Sequence, residues 1–418
     1  MKKLAWLKLP VAACLLALSP LVTLAPRPAH AGPERPEAWP LQPLPQNRLV
    51  QLAPMLRSSD LALLESDAHG QMKQITAMTL AAAPPETVRE VLVHPERYTE
   101  FVRNMKRSDV QQRPDGSLDH TYALDYTVFD VGGTHRYVRY GGSAGPVELF
   151  DADPTSNGLR HYRWEFYPVG SGTLVVQYGY TDLSRSGGVI EQLRQRFNTL
   201  DYGMALVGQM SLLLAMKSRA EQIAGSAGAA SLPSAGGADY GFLLERGTVV
   251  VLRNGGPNGR LSDLSVIDRT RASADALMQV AKQVDRWSGY VPSIKRAELS
   301  GDRGGMPVVE MEQTLPLLSF DTQYGVQSSQ NAVELFGLSG DLRGSRMRFD
   351  VRGDAGASGH TQLIFRSSQQ FDRASFVIRQ LYKMEPLFEY GVNVGLALLV
   401  QRGVRWRAEQ QSPQSAMR

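Results

Sequence analysis

Two stretches of this chain decide its fold, because they are diverged copies of one another: residues 70–110, GQMKQITAMTLAAAPPETVREVLVHPERYTEFVRNMKRSDV, and residues 259–299, GRLSDLSVIDRTRASADALMQVAKQVDRWSGYVPSIKRAEL. A shift of 189 superposes them without a gap. Aromatic character is kept, since Tyr98 faces Trp287 and Phe101 faces Tyr290. A match of this length predicts a duplicated domain rather than a short solenoid repeat.

The repeat continues through most of the chain. VELF at 147–150 returns at 333–336, and RAEQ at 219–222 returns at 407–410, with the offset drifting between 183 and 189. A small, polar stretch between the copies is typical of a linker. The predicted layout is a signal peptide at 1–31, a Pro-rich lead-in at 32–57 that is extended over 32–48, a first domain at 58–224, a flexible linker at 225–239, a second domain at 240–410 and a tail at 411–418.

The N-terminus has the pattern of an export signal. Lys2, Lys3 and Lys8 precede an apolar run, and Ala29 and Ala31 are the small residues that a signal peptidase reads. We therefore expect a cleaved signal and an exported protein, either periplasmic or secreted. Two alternatives stay open: a lipoprotein attached at Cys14, and an uncleaved membrane anchor.

Charge and cysteine content exclude several function classes. The predicted signal holds four basic residues and no acidic ones, so the mature chain has 45 − 4 = 41 basic against 41 acidic residues. A net charge of zero gives no general attraction to nucleic acid. Cys14 is the single cysteine and lies in the signal, which excludes disulfides and thiolate chemistry from the mature chain. The histidines lack zinc-binding spacing, so no metal site and no cofactor are predicted.

Each copy reads as a hairpin, two short helices, a run of strands and a long helix. In copy one, residues 61–65 and 71–80 form the hairpin, and Pro84 opens the helical section. Strands are predicted at 120–128, 136–140, 147–151, 160–166 and 174–180, with the long helix at 189–224. Alternation of apolar and polar residues in these strands indicates a half-buried antiparallel sheet. The predicted class is α+β, with a curved antiparallel sheet around a long C-terminal helix in each copy.

A family resemblance lies in the helical section. APPETV at 83–88, HPERYTEFV at 94–102 and Lys106 resemble the opening of START-like domains, including the polyketide cyclase/dehydrase and coenzyme-Q-binding groups. Copy two has ASAD at 272–275 in place of the Pro pair, so its assignment depends on the repeat. The resemblance implies two tandem helix-grip domains, each with a seven-stranded sheet around an apolar cavity, and lipids, quinones, sterols or polyketides as ligands.

Strand alternation and helical spacing select the side chains that should face the interior, where a ligand would bind. In copy one they are Tyr122, Leu124, Tyr126, Trp164, Phe166, Tyr178, Leu200, Met204 and Val207. In copy two they are Met311, Leu315, Met347, Phe349, Phe365, Val392 and Leu396. The alternative is that the same side chains fill a core. His120 and His161 are expected on the outward face, and Trp164 and Tyr162 are expected to correspond to Met347 and Ser345.

These features favour a binding or transfer protein for a hydrophobic small molecule, with transient membrane contact as a further expectation. The first alternative is a polyketide cyclase or aromatase, and the second is a non-binding interaction scaffold. A catalytic site needs paired groups with tuned pKa values. The predicted inner faces hold tyrosines but few carboxylates and no histidine, so binding is preferred to catalysis. The sequence leaves the ligand and the oligomeric state open.

Overall fold

The computed structural model describes residues 41–67, 71–125, 130–140, 145–152, 160–182, 200–225, 232–254, 261–315, 318–353, 360–384 and 386–411. The predicted signal peptide and Tyr126 lie outside these ranges. Copy one contains β1 (Asp60–Ser66), β2 (Met72–Ala81), α1 (Pro85–Val93), β3 (Met105–Gln112), β4 (Leu118–Asp125), β5 (Asp130–Arg139), β6 (Val147–Asp151), β7 (Arg160–Val169), β8 (Gly172–Thr181) and α2 (Leu200–Ala224).

Copy two repeats this order. It contains β9 (Thr248–Asn254), β10 (Leu261–Thr270), α3 (Ala274–Lys282), β11 (Ile294–Asp302), β12 (Pro307–Leu315), β13 (Leu318–Ser328), β14 (Ala332–Gly340), β15 (Arg346–Gly353), β16 (Thr361–Ser368), α4 (Phe376–Met384) and α5 (Pro386–Gln411). Short helical turns follow α1 at Pro95–Arg97 and Tyr98–Phe101, and a turn at Val284–Gly289 follows α3.

The two copies begin their first helix by different means. Pro85 occupies the first position of α1, where its fixed φ and missing N–H suit a helix start. In α3 the Ser273 hydroxyl accepts a hydrogen bond from the Ala276 N–H at 3.2 Å, which caps the helix. Copy two therefore keeps the helix after losing the proline pair.

All sixteen described strands form one sheet, in the order β11-β12-β13-β14-β15-β16-β10-β9-β1-β2-β8-β7-β6-β5-β4-β3. The expectation of a separate seven-stranded sheet in each domain is corrected here. Each copy has eight strands, because the hairpin strand β1 or β9 adds to the sheet and the polar strand β3 or β11 ends it. The coarse class, an antiparallel sheet with helices in an α+β arrangement, is present.

The copies join through β1 and β9, which pair antiparallel. Ala62 lies opposite Val250, and Leu61 lies opposite Val251. Met78 and Ile267 are counterparts in the repeat, and they pair with Leu61 and Val249, respectively. Val249 is therefore the counterpart of Leu61. In the same way, Val250 is the counterpart of Ala62. The pairing is therefore symmetric about the Ala62–Val250 position.

The central strands are covered on both faces. Leu61, Leu63 and Met78 pack in one cluster with Leu49 and Leu52, which belong to helical turns at residues 46–56. The extended conformation predicted for 32–48 is wrong at 46–48, because an apolar stripe that begins there folds as helical turns onto the outer face of the sheet. Because β1 is buried on both faces, its sequence is apolar at consecutive positions instead of alternating between apolar and polar residues.

Polar contacts also tie the copies together. The Arg246 guanidinium of copy two lies 2.8 Å from the buried Glu65 carboxylate of copy one. Burial raises the pKa of Glu65, and the facing Arg246 opposes that rise. Arg402 of α5 lies over the Tyr202 ring of α2, with its guanidinium carbon 4.4 Å from the ring centroid. Among the described residues, no helix is both long enough and apolar enough to cross a bilayer.

Candidate functional site

A set of polar side chains lies together on the inner face of copy one, the face that packs against α2. We call His120, Tyr122, His135, Asp151 and Arg160 the inner polar cluster. Strand pairing brings them together: His120 lies opposite His135, and His135 lies opposite Asp151. Directly paired residues in antiparallel strands project from the same face, so four neighbouring strands contribute to one site.

Arg160 is the centre of this cluster. Its Nη1 donates to the Tyr122 hydroxyl at 2.7 Å and lies 3.9 Å from Asp151 Oδ1. The Arg160 side chain is 10% exposed and that of Asp151 is 6% exposed. Burial alone would lower the pKa of Arg160, but Tyr122, Tyr162 and Asp151 together raise it. A permanently charged guanidinium is thus held inside the sheet.

His135 lies near both the Asp151 carboxylate and the Arg160 cation. Its Nε2 lies 3.6 Å from Asp151 Oδ1, and its ring lies 4.8 Å from the Tyr122 ring. Burial lowers the pKa of His135 well below its usual value, and the charge of Arg160 lowers it further. His135 is therefore a neutral imidazole near pH 7, able to accept or donate one hydrogen bond.

His120 leads from the cluster towards the helical turn after α1. Its Nε2 lies 2.7 Å from the Ser108 hydroxyl, and its Nδ1 lies 3.5 Å from the Tyr137 hydroxyl. Tyr98, from that turn, donates to the Leu92 carbonyl at 2.7 Å and contacts the His120 ring edge-on. Burial lowers the pKa of His120 to about 4.

Gly133 provides the space in which Arg160 meets Tyr122. A Cβ at this position would lie 3.2 Å from Arg160 Nη1 and 3.5 Å from the Tyr122 hydroxyl. A larger residue would crowd the hydrogen bond between those groups. The glycine is therefore part of the site although it carries no chemistry.

The predicted site residues do not all lie together. Trp164, Phe166, Met311, Met347, Phe349 and Phe365 are buried in the inner core, and Val207 packs against it. Tyr122 is buried, Leu124 and Met204 are half-buried, and Leu200 lies in α2, but its side chain is outside the described part. Leu315, Val392 and Leu396 form a separate cluster with Phe371 and Ile378.

The prediction that Tyr178 lies on the inner face is wrong. It lies on the opposite face, in the cluster under the lead-in turns, and its hydroxyl accepts a hydrogen bond from the Leu44 N–H at 3.1 Å. The error has a physical reason. Strand β8 is buried on both faces in the middle of a wide sheet, so the pattern of apolar residues does not distinguish them.

The expected position of His120 is also wrong. His120 has the same strand parity as Tyr122 and is buried at 2% exposure. His161 does lie on the outer face, where its ring stacks on Phe150 at 4.3 Å. The sequence interpretation missed His135, Asp151 and Arg160. Their strand parity with Tyr122 and Trp164 was the available signal.

The register between the copies is corrected as well. Val147 pairs with Trp164, and its counterpart Val333 pairs with Phe349, so Trp164 corresponds to Phe349 and not to Met347. By the same pairing Tyr162 corresponds to Met347. The inner polar cluster then has mostly apolar or small counterparts: Val309 for His120, Met311 for Tyr122, Tyr324 for His135, Gly337 for Asp151 and Ser345 for Arg160.

Copy two has a groove at the outer end of its inner face. Its volume is about 730 Å³, and Val284, Leu299, Met306, Val309 and Val326 contribute its apolar wall. Leu299 is 62% exposed there. Within the described ranges, no group of three or more His, Cys, Asp or Glu side chains has metal-binding geometry.

Comparisons with known proteins give weak structural matches. No family model matches the chain, and no curated protein matches it. Two solved di-domain aromatase/cyclases are similar: BexL of the BE-7585A pathway (13% identity, TM-score 0.28) and StfQ of the steffimycin pathway (13%, 0.27), covering 82% and 80% of this chain and 99% of theirs. The START superfamily protein from Mycobacterium smegmatis matches 36% of this chain and 98% of its own, at 16% identity and TM-score 0.27. Such low scores carry no argument about this chain.

Proposed function

We propose that this chain is an exported protein in which copy one binds a largely apolar small molecule that carries an oxygen-bearing end, while copy two supports it. The observation that carries this proposal is the buried Arg160 with Tyr122, His135 and Asp151 on the inner face. A buried guanidinium is costly unless it is paired, and its donor geometry matches carboxylate, phenolate or carbonyl oxygen.

Apolar neighbours support the same proposal. Trp164 and Phe166 lie on the same face of β7 as Arg160, and Val207 approaches from α2. Burial of an apolar ligand against such side chains contributes about 25 cal/mol per Å². The polar groups would orient one end of the ligand and the aromatic groups would cover the rest.

The first experiment is native mass spectrometry of the mature protein, purified gently from its own host, with extraction of any bound lipid. We expect one apolar ligand per chain. Added oleate, oleyl alcohol and decylubiquinone then serve as probes. Oleate and oleyl alcohol differ only in the charged end, so Arg160 should favour oleate. An empty protein that takes up none of the three contradicts the proposal.

A matched pair of variants assigns the binding to a copy. Arg160→Met should remove the preference for oleate over oleyl alcohol, whereas Ser345→Ala, at the counterpart of Arg160, should leave it unchanged. Equal effects of the two variants contradict a role specific to copy one.

N-terminal sequencing of the mature chain tests the predicted cleavage after Ala31.

A cyclase or aromatase is the second candidate. The sequence predicts few carboxylates and no histidine on the inner faces, which disfavours catalysis. In the structure, however, His135 and Asp151 lie 3.6 Å apart on the inner face of copy one, beside Arg160. Arg160 would stabilise an enolate oxygen, and His135 would move a proton. A linear poly-β-ketone thioester is the test substrate. Cyclisation that is lost in His135→Gln while binding is kept would favour this candidate.

A further inference from the structure

Two arginines recur in both copies but have different neighbours. In copy one, Glu100 lies between them: Arg97 Nε is 3.1 Å from Glu100 Oε1, and Arg219 Nη2 is 3.1 Å from Glu100 Oε2. Arg97 belongs to the turn after α1, and Arg219 belongs to α2. One carboxylate therefore neutralises two guanidinium groups and ties the turn to the long helix.

Copy two keeps both arginines and lacks the carboxylate. Arg286 and Arg407 are the counterparts, and Gly289 occupies the position of Glu100. A Cβ on Gly289 would meet nothing within 4 Å, and its φ is not in the left-handed region. Within the described residues, neither Arg286 nor Arg407 has an ion pair. The position of the missing carboxylate is open space.

That space is a defined pocket of about 420 Å³, with Arg286, Arg407, Gln279, Tyr290 and Gln411 among its walls. Gln279 replaces Glu90 of copy one, so a second carboxylate has been lost on the same side. The Tyr290 hydroxyl donates to the Val280 carbonyl at 3.0 Å, which fixes the ring as a wall.

Asp285, which precedes Arg286 in the sequence, lines the neighbouring groove and not this pocket. Among the described residues, two arginines and three glutamines line this pocket together with Gly289 and Tyr290, and no carboxylate does.

We propose that this pocket of copy two binds a phosphate-type anion between Arg286 and Arg407. Guanidinium groups bind phosphate oxygens through paired, charge-assisted hydrogen bonds, and the amides of Gln279 and Gln411 are further donors. The anion replaces the Glu100 carboxylate of copy one. This site lies on the other copy from the inner polar cluster and does not depend on the function proposed for it.

The anion has two chemical sources, free phosphate and the headgroup of a lipid. Trp406, beside Arg407 on α5, is 52% exposed, whereas its counterpart in copy one is Ser218. An exposed tryptophan has an apolar body and a polar tip and is suited to a membrane surface. Trp406 precedes Arg407, a residue that lines the pocket, on the same helix, and this favours a headgroup.

The experiment uses the full mature chain and two reciprocal variants. Gly289→Glu restores the carboxylate of copy one, and Glu100→Gly removes it from copy one. Inorganic phosphate is titrated by calorimetry, and co-sedimentation is measured with phosphatidylcholine vesicles with and without phosphatidylglycerol. We expect wild-type protein to bind, Gly289→Glu to bind about tenfold more weakly or worse, and Glu100→Gly combined with Glu90→Gln, which removes both carboxylates, to gain a second site.

The outcomes separate the sources. Binding of inorganic phosphate that Gly289→Glu removes supports a site for the free ion, and binding of phosphatidylglycerol vesicles alone supports a headgroup site. Absence of binding in both assays overturns the proposal, as does equal binding by wild type and Gly289→Glu. If thermal unfolding shows that Gly289→Glu is not folded, the exposed substitution Arg407→Gln provides the same test.

Discussion

The inner faces of the two copies have the same strands and opposite chemistry. Around Arg160, copy one buries a cation, a carboxylate and two imidazoles, whereas around Ser345 copy two buries Met347, Phe349 and Phe365. Both faces are covered and both are packed in the same core. A buried ion pair adds little stability relative to an apolar core of equal volume. Copy two shows that this fold does not need the polar cluster, and the function proposed for copy one depends on that cluster.

The largest expected effect is at Arg160. Arg160→Met removes the buried cation that faces Asp151 and Tyr122, so we expect the free energy of unfolding to fall by about 3–5 kcal/mol. Ser345→Ala, the matched change in copy two, removes one hydrogen bond to the Gln370 N–H and should cost about 1 kcal/mol. Urea denaturation measures both. Similar losses of unfolding free energy in the two variants would contradict the proposed difference between the inner faces of the two copies.

The second effect is a dependence on pH that comes from the buried histidines of copy one. The pKa of His120 is about 4 in the folded chain, below its usual value of 6.5, so the unfolded chain binds more protons between these pH values. The contribution of His120 to stability is therefore full above pH 6.5 and falls by about 3 kcal/mol as the pH drops to 4. His135, whose pKa is lowered well below 6.5, adds to this loss in the same direction.

Denaturation at a series of pH values checks this prediction. His120→Gln should reduce the slope in that window, while Val309→Ala at the counterpart should shift the curve without changing its slope. An unchanged slope in His120→Gln contradicts it.

The third effect concerns the link between the copies. Arg246→Met leaves the nearly buried Glu65 without its facing cation, and we expect a loss of about 2–3 kcal/mol, less than for a fully buried pair because Arg246 is 23% exposed. The loss should appear in one cooperative transition of the whole chain. Calorimetry that resolves two transitions would show that the copies unfold independently.

The smallest expected loss of stability is at Tyr122, where one substitution removes a hydrogen bond and keeps the aromatic ring. Tyr122→Phe keeps the contact with the His135 ring and loses the bond from Arg160, for about 1–2 kcal/mol. Met311→Leu at the counterpart conserves volume and should cost under about 1.5 kcal/mol. In a double-mutant cycle, Tyr122→Phe and Arg160→Met should be non-additive. Additive losses would place the two groups in separate sites.

Much of the fold was predictable from sequence, because the repeat, the hairpins and the long helices depend on local pattern. Strand β3 was missed because MKRSDVQQ has hardly any apolar residues, as suits an exposed sheet edge. The pairing of β1 with β9 was not predicted, because an apolar run indicates that a strand is buried but does not indicate which strand it pairs with.

The site was less predictable. The aromatic part was found from alternation, since Trp164 and Phe166 are apolar on an apolar face. Arg160, Asp151 and His135 break that alternation, and charged residues in strands are ordinarily solvated. Their burial depends on three long-range strand pairings, and the register of those pairings is a property of the sheet. A loop of different length before β7 displaced the predicted register.

The symmetric pairing of β1 with β9 has an evolutionary consequence. A single copy would leave Leu61, Leu63 and their neighbours on an uncovered strand edge, which invites association with another molecule. Two identical copies would satisfy each other about a true twofold axis, in the isologous manner of a homodimer. Gene duplication and fusion of such a dimer would yield a chain with this arrangement, and once fused, the two inner faces are free to diverge, as the inner polar cluster and its apolar counterparts have done.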